Sequence, residues 1–485
     1  LLEKTISFLI AGTFFSYLGG ALFRRRERLV SGTIAFIALA GSVVTTFKAL
    51  PSLLNGSEVV MLFGFIPWTV DLLGWLVAET GLVLSLLVVL YSITYMAEDS
   101  GIDKFFPLLL LLVISVIGLA FSFDLFSLYL FFELLSISSF TLVAFRKDQW
   151  DPVEAGIKFL VMSATGSALI LLAIALIYKD FGTLDLNMLY QITALRETLN
   201  LWLPIACFTV GFGIKAAMFP LHTWLPDAHP EAPSGISAML SGIIIEIGFF
   251  ALLRIYLAIG NQFSWGYVFI WFGVLTMTAG NLMALTQKSM KRMLAYSSVA
   301  QMGYIILGIG VGAAYNVASG PIGSIFHIVT HAFMKGLAFL CAGAIIYRIG
   351  SGKMEDMRGA GWRMPVTAVT FTVAVLSLAG VPPFSGFMSK LLIYESGIQS
   401  GTVFGWFVSM VAIFNSVFSL GYYLPAVSTL YSKNYSARVS NIQEAPFLMS
   451  CAMVILALIT LYLGVMPDPI RVWVGQGFAL LQGAF

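Results

Sequence analysis

Residues 211–235 read GFGIKAAMFPLHTWLPDAHPEAPSG, and this stretch decides what kind of molecule the chain is. Lys215 stands fourteen residues into an apolar run that begins near Leu201, and Pro220 interrupts the run just beyond it. Proline removes a helical N–H and clashes with the preceding turn. In hydrocarbon the backbone groups freed in that way have to face protein or water. A second stretch, SLAGVPPFSGFMSKLLIYESG (377–397), follows the same pattern, with Gly380, Pro382, Pro383 and Gly386 ahead of Lys390. Two Gly/Pro-interrupted apolar segments in corresponding positions point to the binding site of an inverted-repeat transporter.

The surrounding composition is that of a membrane protein. Of 485 residues, 59% are hydrophobic and 10% charged, whereas soluble domains carry about 25% charge. The net charge of +2 is spread along the chain, so there is no nucleic-acid footprint. Cys207, Cys341 and Cys451 lie far apart inside apolar runs. They form no CxxC pair and are too few for a four-thiolate cluster, so they read as buried thiols and exclude an iron–sulfur subunit.

A span needs ~20 apolar residues. Fourteen segments qualify: 5–22, 29–50, 69–96, 106–122, 124–145, 157–178, 201–220, 235–259, 263–285, 293–312, 321–348, 366–394, 403–431 and 446–466. The first reads as a span in its own right, with no cleavable signal, and the mixed segment 185–200 reads as surface. Loops after odd-numbered spans hold 17 basic residues, Lys291 among them, against 5 on the other side, Arg196 among those. By the positive-inside rule this puts the odd-numbered loops in the cytoplasm and both termini outside. The interrupted spans are seven and twelve. An odd separation of five inverts topology, so spans 4–8 and 9–13 are expected to form two inverted five-helix repeats. The expected division is 1–105, 106–260, 261–432 and 433–485.

Seven ionisable residues lie well inside apolar runs: Glu79, Glu133, Lys215, Glu246, Arg254, Lys335 and Lys390. An ionised group at mid-bilayer costs at least ~2.5–3.5 kcal/mol, and such residues mark ion or proton pathways by default. For each the plainer reading is a structural pair between helices. Arg254, near a helix end, has the further option of snorkelling, and Glu79 that of pairing with a basic neighbour. His327, His331 and Lys335 are spaced i, i+4, i+8 in SIFHIVTHAFMKGLAF (324–339), which puts them on one helical stripe. No local carboxylate or cysteine supplies a third metal ligand, so a proton relay fits better than a metal site. Glu133 and Lys215 have the chemistry of a couple, because moving a carboxylate away from a buried lysine favours proton release.

Four stretches carry a resemblance: KAAMFPLHTWLPDAHPEAPSGISAMLSG (215–242), KRMLAYSSVAQMGY (291–304), HAFMKGLAFLCAG (331–343) and GVPPFSGFMSKLLI (380–393). The chain resembles the antiporter-like subunits of respiratory complex I, Mrp-type sodium/proton antiporters and membrane-bound hydrogenases. MEDMRGAG (354–361) and GVPPFSGFMSK look closer to the Mrp and hydrogenase types. The resemblance implies fourteen core helices in two inverted repeats, broken helices seven and twelve, and both termini outside. It implies that Glu133 is the helix-five glutamate and Lys215 the helix-seven lysine. Lys390 is then the helix-twelve lysine of the outlet, and His327, His331 and Lys335 continue the polar axis. Glu246 departs from the lysine common at its position, which leaves it to pair with Lys215 or the histidines. Glu79 has no counterpart in the pattern, and an extended C-terminal lateral helix is missing.

The expected function is proton or Na+/H+ translocation through Glu133, Lys215, Glu246, His327, His331, Lys335 and Lys390. The setting is a multisubunit complex in the cytoplasmic membrane of a prokaryote, either a hydrogenase-type redox pump or an Mrp antiporter. Nickel–iron and iron–sulfur centres, where present, belong to partner subunits or a peripheral oxidoreductase arm, and this chain needs no cofactor. The competing reading is a stand-alone secondary transporter of a small organic ion. A third is a scaffold whose buried charges only pair helices.

Overall fold

The computed structural model describes residues 2–62, 66–195, 201–259 and 265–484. Arg196 with the rest of 196–200 lies outside the described residues. So do 260–264, which hold the boundary drawn between the repeats and the start of the ninth expected span. The chain is an all-α polytopic membrane protein. Among the described residues twelve helices are long and apolar enough to cross a membrane, or thirteen where a bent pair counts as one.

Capping side chains and left-handed glycines set helix limits here. Asp71 accepts from Gly74 N at 2.7 Å to start Leu72–Tyr95, and Asp124 accepts from Ser127 N at 2.8 Å to start Leu125–Val143. Each satisfies an amide that the first turn leaves unpaired. Gly380, at φ 78°, closes Pro365–Ala379 in the left-handed conformation that glycine alone adopts without cost.

Two expected spans do not form one continuous helix. In 201–220 the helix Trp202–Lys215 has only 14 residues, and the chain resumes as Leu225–Glu231. In 366–394 the helices are Pro365–Ala379 and Ser385–Gln399, 15 residues each. The first break is stitched by side chains: Trp224 Nε1 donates to Ile214 O at 2.7 Å and Phe219 N donates to Thr276 Oγ1 at 3.1 Å. A further irregularity is the π-helical turn Leu240–Ile244, which leads directly into Ile245–Ile259 and Glu246. Such turns recur at functional sites.

The most enclosed helices are Ser234–Ile259, Ser319–Ile349, Met290–Tyr315 and Leu72–Tyr95. Each is buried around most of its circumference, so the polar residues these helices carry face other protein elements. Leu2–Leu22, Trp150–Phe181 and Val403–Leu430 lie outside them and expose rows of large apolar side chains. Before Leu72 the chain forms an antiparallel hairpin of Glu58–Leu62 and Ile66–Val70 that the span count did not foresee. Beyond Pro467, Asp468–Ala484 forms a helix that sets Trp473 edge-on against Trp75 and Gly477 against Leu73.

The tightest packing joins Trp265–Leu285 to Met290–Tyr315. Gly266, Gly273 and Gly280, seven residues apart, meet Ala314, Leu307 and Ala300, while Gly303 and Gly310 meet Met277 and Ile270. Small residues let membrane helices bring their backbones together, which replaces the missing hydrophobic drive. A Cβ on Gly273 would lie 2.7 Å from Leu307 N and 2.9 Å from Gly303 O, both backbone atoms that have nowhere to retreat. Gly273→Val should therefore cut the assembled protein severalfold on a native gel of detergent-solubilised membranes. Gly475→Ala, with its neighbour at 3.8 Å, should leave assembly unchanged.

Candidate functional site

The histidine stripe of Ser319–Ile349 runs through the centre of the molecule. His327, His331 and Lys335 are fully buried there, together with Glu246 of the neighbouring helix. His331 Nδ1 hydrogen-bonds Glu246 Oε1, joining residues 85 positions apart. Within the stripe the rings of His327 and His331 stack at 5.8 Å between centroids. Lys335 donates to Ser297 Oγ of Met290–Tyr315.

His327 connects the stripe to the second broken helix. Its Nε2 lies 3.1 Å from Gln301 Oε1, and Gln301 Nε2 donates to Leu378 O at 2.8 Å. Lys390 Nζ donates to the same carbonyl at 2.7 Å and to Ser416 Oγ at 3.1 Å. Leu378 O is exposed to these donors because the helix ends at Ala379, leaving its last carbonyls without an intrahelical partner. A backbone carbonyl only accepts, so the nitrogen end of Gln301 must face it and the oxygen end must face His327. The proton then resides on His327 Nε2, and in the neutral ring Nδ1 accepts from Ser389 Oγ at 2.8 Å. Lys390 also lies 4.3 Å from the centre of the Tyr304 ring, a cation–π contact.

The first broken helix presents Lys215 differently. Its stem passes Gly248, where a Cβ would fall 2.9 Å from Lys215 Cγ, so the glycine two residues past Glu246 makes room for it. Its ammonium lies over the rings of Phe159 at 4.7 Å and Phe132 at 5.3 Å and has no hydrogen-bond partner among the described residues. Glu133, next to Phe132 and half-buried, forms no ion pair with Lys215 among those residues, and its Oε1 is likewise unpartnered. The Lys215 ammonium thus rests on aromatic faces, with no direct hydrogen bond to Glu133 among the described residues.

With this geometry in place the family can be identified. A family model described as NADH:quinone oxidoreductase/Mrp antiporter, TM, matches residues 122–419. The chain belongs to this antiporter family. A second model, NADH-Ubiquinone oxidoreductase (complex I), chain 5 N-terminus, matches residues 66–106. Over 474 residues the chain is 31% identical to F(420)H(2) dehydrogenase subunit N of Methanosarcina mazei, covering 95% of this chain and 94% of that protein. It is 36% identical to Hydrogenase-4 component B of Escherichia coli over 333 residues, 65% of this chain and 49% of that one. It superposes on a chain of the membrane-bound sulfane sulfur reductase, an archaeal respiratory membrane complex, with TM-score 0.87 at 26% identity, covering 99% and 98% of the two chains. A chain of the Mrp complex from Dietzia sp. DQ12-45-1b shares the fold with TM-score 0.89 at 24% identity, again covering 99% and 98%.

The protein is therefore an antiporter-like membrane subunit, and the relatives and solved neighbours it resembles are subunits of multisubunit complexes. The antiporter family gives no support to a stand-alone organic-ion transporter. Among the described residues no group of three or more His, Cys, Asp or Glu could hold a metal.

Two readings of single residues change. Arg254 does not snorkel: Nη1 pairs with Asp71 at 2.7 Å, Nη2 donates to Ala120 O at 2.7 Å, and the guanidinium lies between Phe123 and Phe250. The hairpin delivers Asp71 to this spot, which is why the span pattern missed it. Lys291, counted as a loop residue, is buried and donates to Ala232 O at 2.8 Å. Glu79 is buried without an ion pair among the described residues. Gln301, Ser389 and Ser416 were not singled out by sequence reasoning, although Gln301 lies within 291–304 and Ser389 within 380–393, both among the stretches that carry the resemblance.

Removing one partner of a buried ion pair leaves an uncompensated charge and costs about 3–5 kcal/mol, whereas replacing both with apolar residues is often neutral. Arg254→Met should accordingly lower the thermal midpoint of the detergent-solubilised complex sharply. Adding Asp71→Leu should recover most of the loss.

Proposed function

We propose that this chain moves protons through a mid-membrane line that runs from Glu133 and Lys215, through Glu246 and His331, to His327, Lys335 and Lys390. The observation that carries the reading is the buried run in which Glu246 hydrogen-bonds His331, the His331 ring stacks on His327, and His327 hydrogen-bonds Ser389, the residue before Lys390. Such groups are costly in hydrocarbon and serve ion passage where they persist. His331 and His327 supply groups that load and release protons near neutral pH. The lysines supply a charge whose affinity for its proton depends on what stands nearby.

The architecture behind this proposal is fourteen spans, counting each broken segment as one, with helices 4–8 and 9–13 as inverted repeats. The twelve long helices among the described residues, taken with the two interrupted segments, support that count. The excess of basic residues in odd-numbered loops supports a cytoplasmic membrane with both termini outside. The parent complex is proposed to be redox-driven, because relatives covering 95% and 65% of the chain are named as subunits of a dehydrogenase and a hydrogenase. Nickel–iron or iron–sulfur centres would then belong to partner subunits, and the ion moved would be H+, with exchange for Na+ as the variant that the Mrp likeness suggests.

Mass spectrometry of the intact complex, drawn from native membranes in mild detergent, separates the two settings. Metal-bearing subunits define a redox pump, and only small hydrophobic subunits define an Mrp-type antiporter. In either setting Lys215→Ala and Glu133→Ala should each abolish coupled ion movement while the complex still assembles on a native gel. Unchanged pumping in both variants would leave the buried charges as structural pairs.

A further inference from the structure

His229 belongs to the LPDAHPE turn, Leu225–Glu231, beyond the first helix break. It is fully buried, yet neither ring nitrogen has a hydrogen-bond partner among the described residues. A histidine wanted only for its shape could be an aromatic residue, since the ring stacks on Phe339 at 4.4 Å with the planes 14° apart. Burying two polar nitrogens unpaired costs stability, so their presence calls for a role.

Its position supplies one. Phe339 lies four residues, about 6 Å of helix rise, beyond Lys335 on Ser319–Ile349. In the same turn as His229, Asp227 and Glu231 border an open vestibule of about 330 Å³ together with Asp151, Glu154, Lys158 and Arg292. Asp227 is held by Lys158 at 3.2 Å and Arg292 at 3.1 Å, whereas Glu231, half-buried, forms no ion pair among the described residues. The turn itself is pinned: Lys291 donates to Ala232 O at 2.8 Å and Ser237 Oγ donates to His229 O at 2.9 Å. The basic residues of the odd-numbered loops put this end of the molecule on the cytoplasmic side.

We infer that His229 is the proton relay that joins the Glu231 vestibule to Lys335, the entry step of the translocation line proposed above, on which this inference rests. A proton taken up on one ring nitrogen gives the imidazolium. Release from the other nitrogen to a neutral Lys335 amine leaves the neutral ring and a lysine ammonium, and tautomer exchange or ring rotation resets the relay. Proton and charge balance without any further reactant.

The test uses inverted vesicles containing the whole complex. They are energised by the reaction its partner subunits carry, or by an imposed Na+ gradient where they carry none, and proton uptake is read with a pH dye. His229→Asn keeps a polar group of similar size but cannot titrate near neutral pH, and His229→Phe keeps the stack. Both should slow uptake at least tenfold with normal assembly on a native gel, and His229→Asp should recover part of the rate. Parental uptake in either the Asn or the Phe variant, or an Asp variant no faster than Asn, overturns the relay. Lys335→Ala separates the levels: uptake persisting in that variant sinks the translocation line itself, whereas its loss alongside an active His229→Asn removes only the relay.

Discussion

Everything in this molecule answers to one constraint: within a bilayer a polar group that lacks a partner in the protein has none at all. A continuous helix meets the constraint by pairing its own backbone. The two places where this chain abandons continuity, beyond Lys215 and at Gly380, set free carbonyls that other residues must approach. At the first break an indole reaches back to Ile214 O. At the second, an ammonium and an amide converge on Leu378 O, with Ser416 on Ala379 O. The defects in the helices are thus what gather polar chemistry at mid-membrane.

The two breaks are used unequally. Lys390 is bound by oxygen atoms, while Lys215 rests on aromatic faces with no hydrogen bond. Aromatic faces attract a cation with less direction than a hydrogen bond. The Lys215 ammonium is accordingly the less committed of the two, and a small approach by Glu133 changes its environment most. Glycines at Gly248 and along the Gly273–Gly303 seam keep the supporting backbones close enough that side chains, and not whole helices, have room to shift.

Much of this was legible in the sequence because a charge in an apolar run is visible there. Lys215, Glu246, Lys335 and Lys390 stand out by contrast alone, and the i, i+4, i+8 stripe follows from helical periodicity. Partnerships were only partly legible: the departure at Glu246 left Lys215 or the histidines as its partner, and the fold selects His331. The Glu246–His331 contact crosses 85 positions, and periodicity specifies which face a residue occupies but not which helix it meets. For Arg254 the structural pair was among the readings, but its partner Asp71, the cap between the hairpin strand Ile66–Val70 and the helix Leu72–Tyr95, was not. His229 escaped notice for the opposite reason, since its surroundings, LPDAHPEAPSG, look like an ordinary polar loop and give no contrast.

The amide of Gln301 has a consequence for traffic through the centre. Near neutral pH an amide neither gains nor loses a proton, and a backbone carbonyl does not either. The stretch from His327 through Gln301 to Leu378 O is therefore an insulated splint: it fixes the tautomer of His327 and the seat of Lys390 but carries no proton between them. On the proposed line, passage would go round it by way of the Ser389 hydroxyl on the other ring nitrogen, which lies one residue before Lys390. Rigidity and conduction are assigned to opposite edges of a single imidazole.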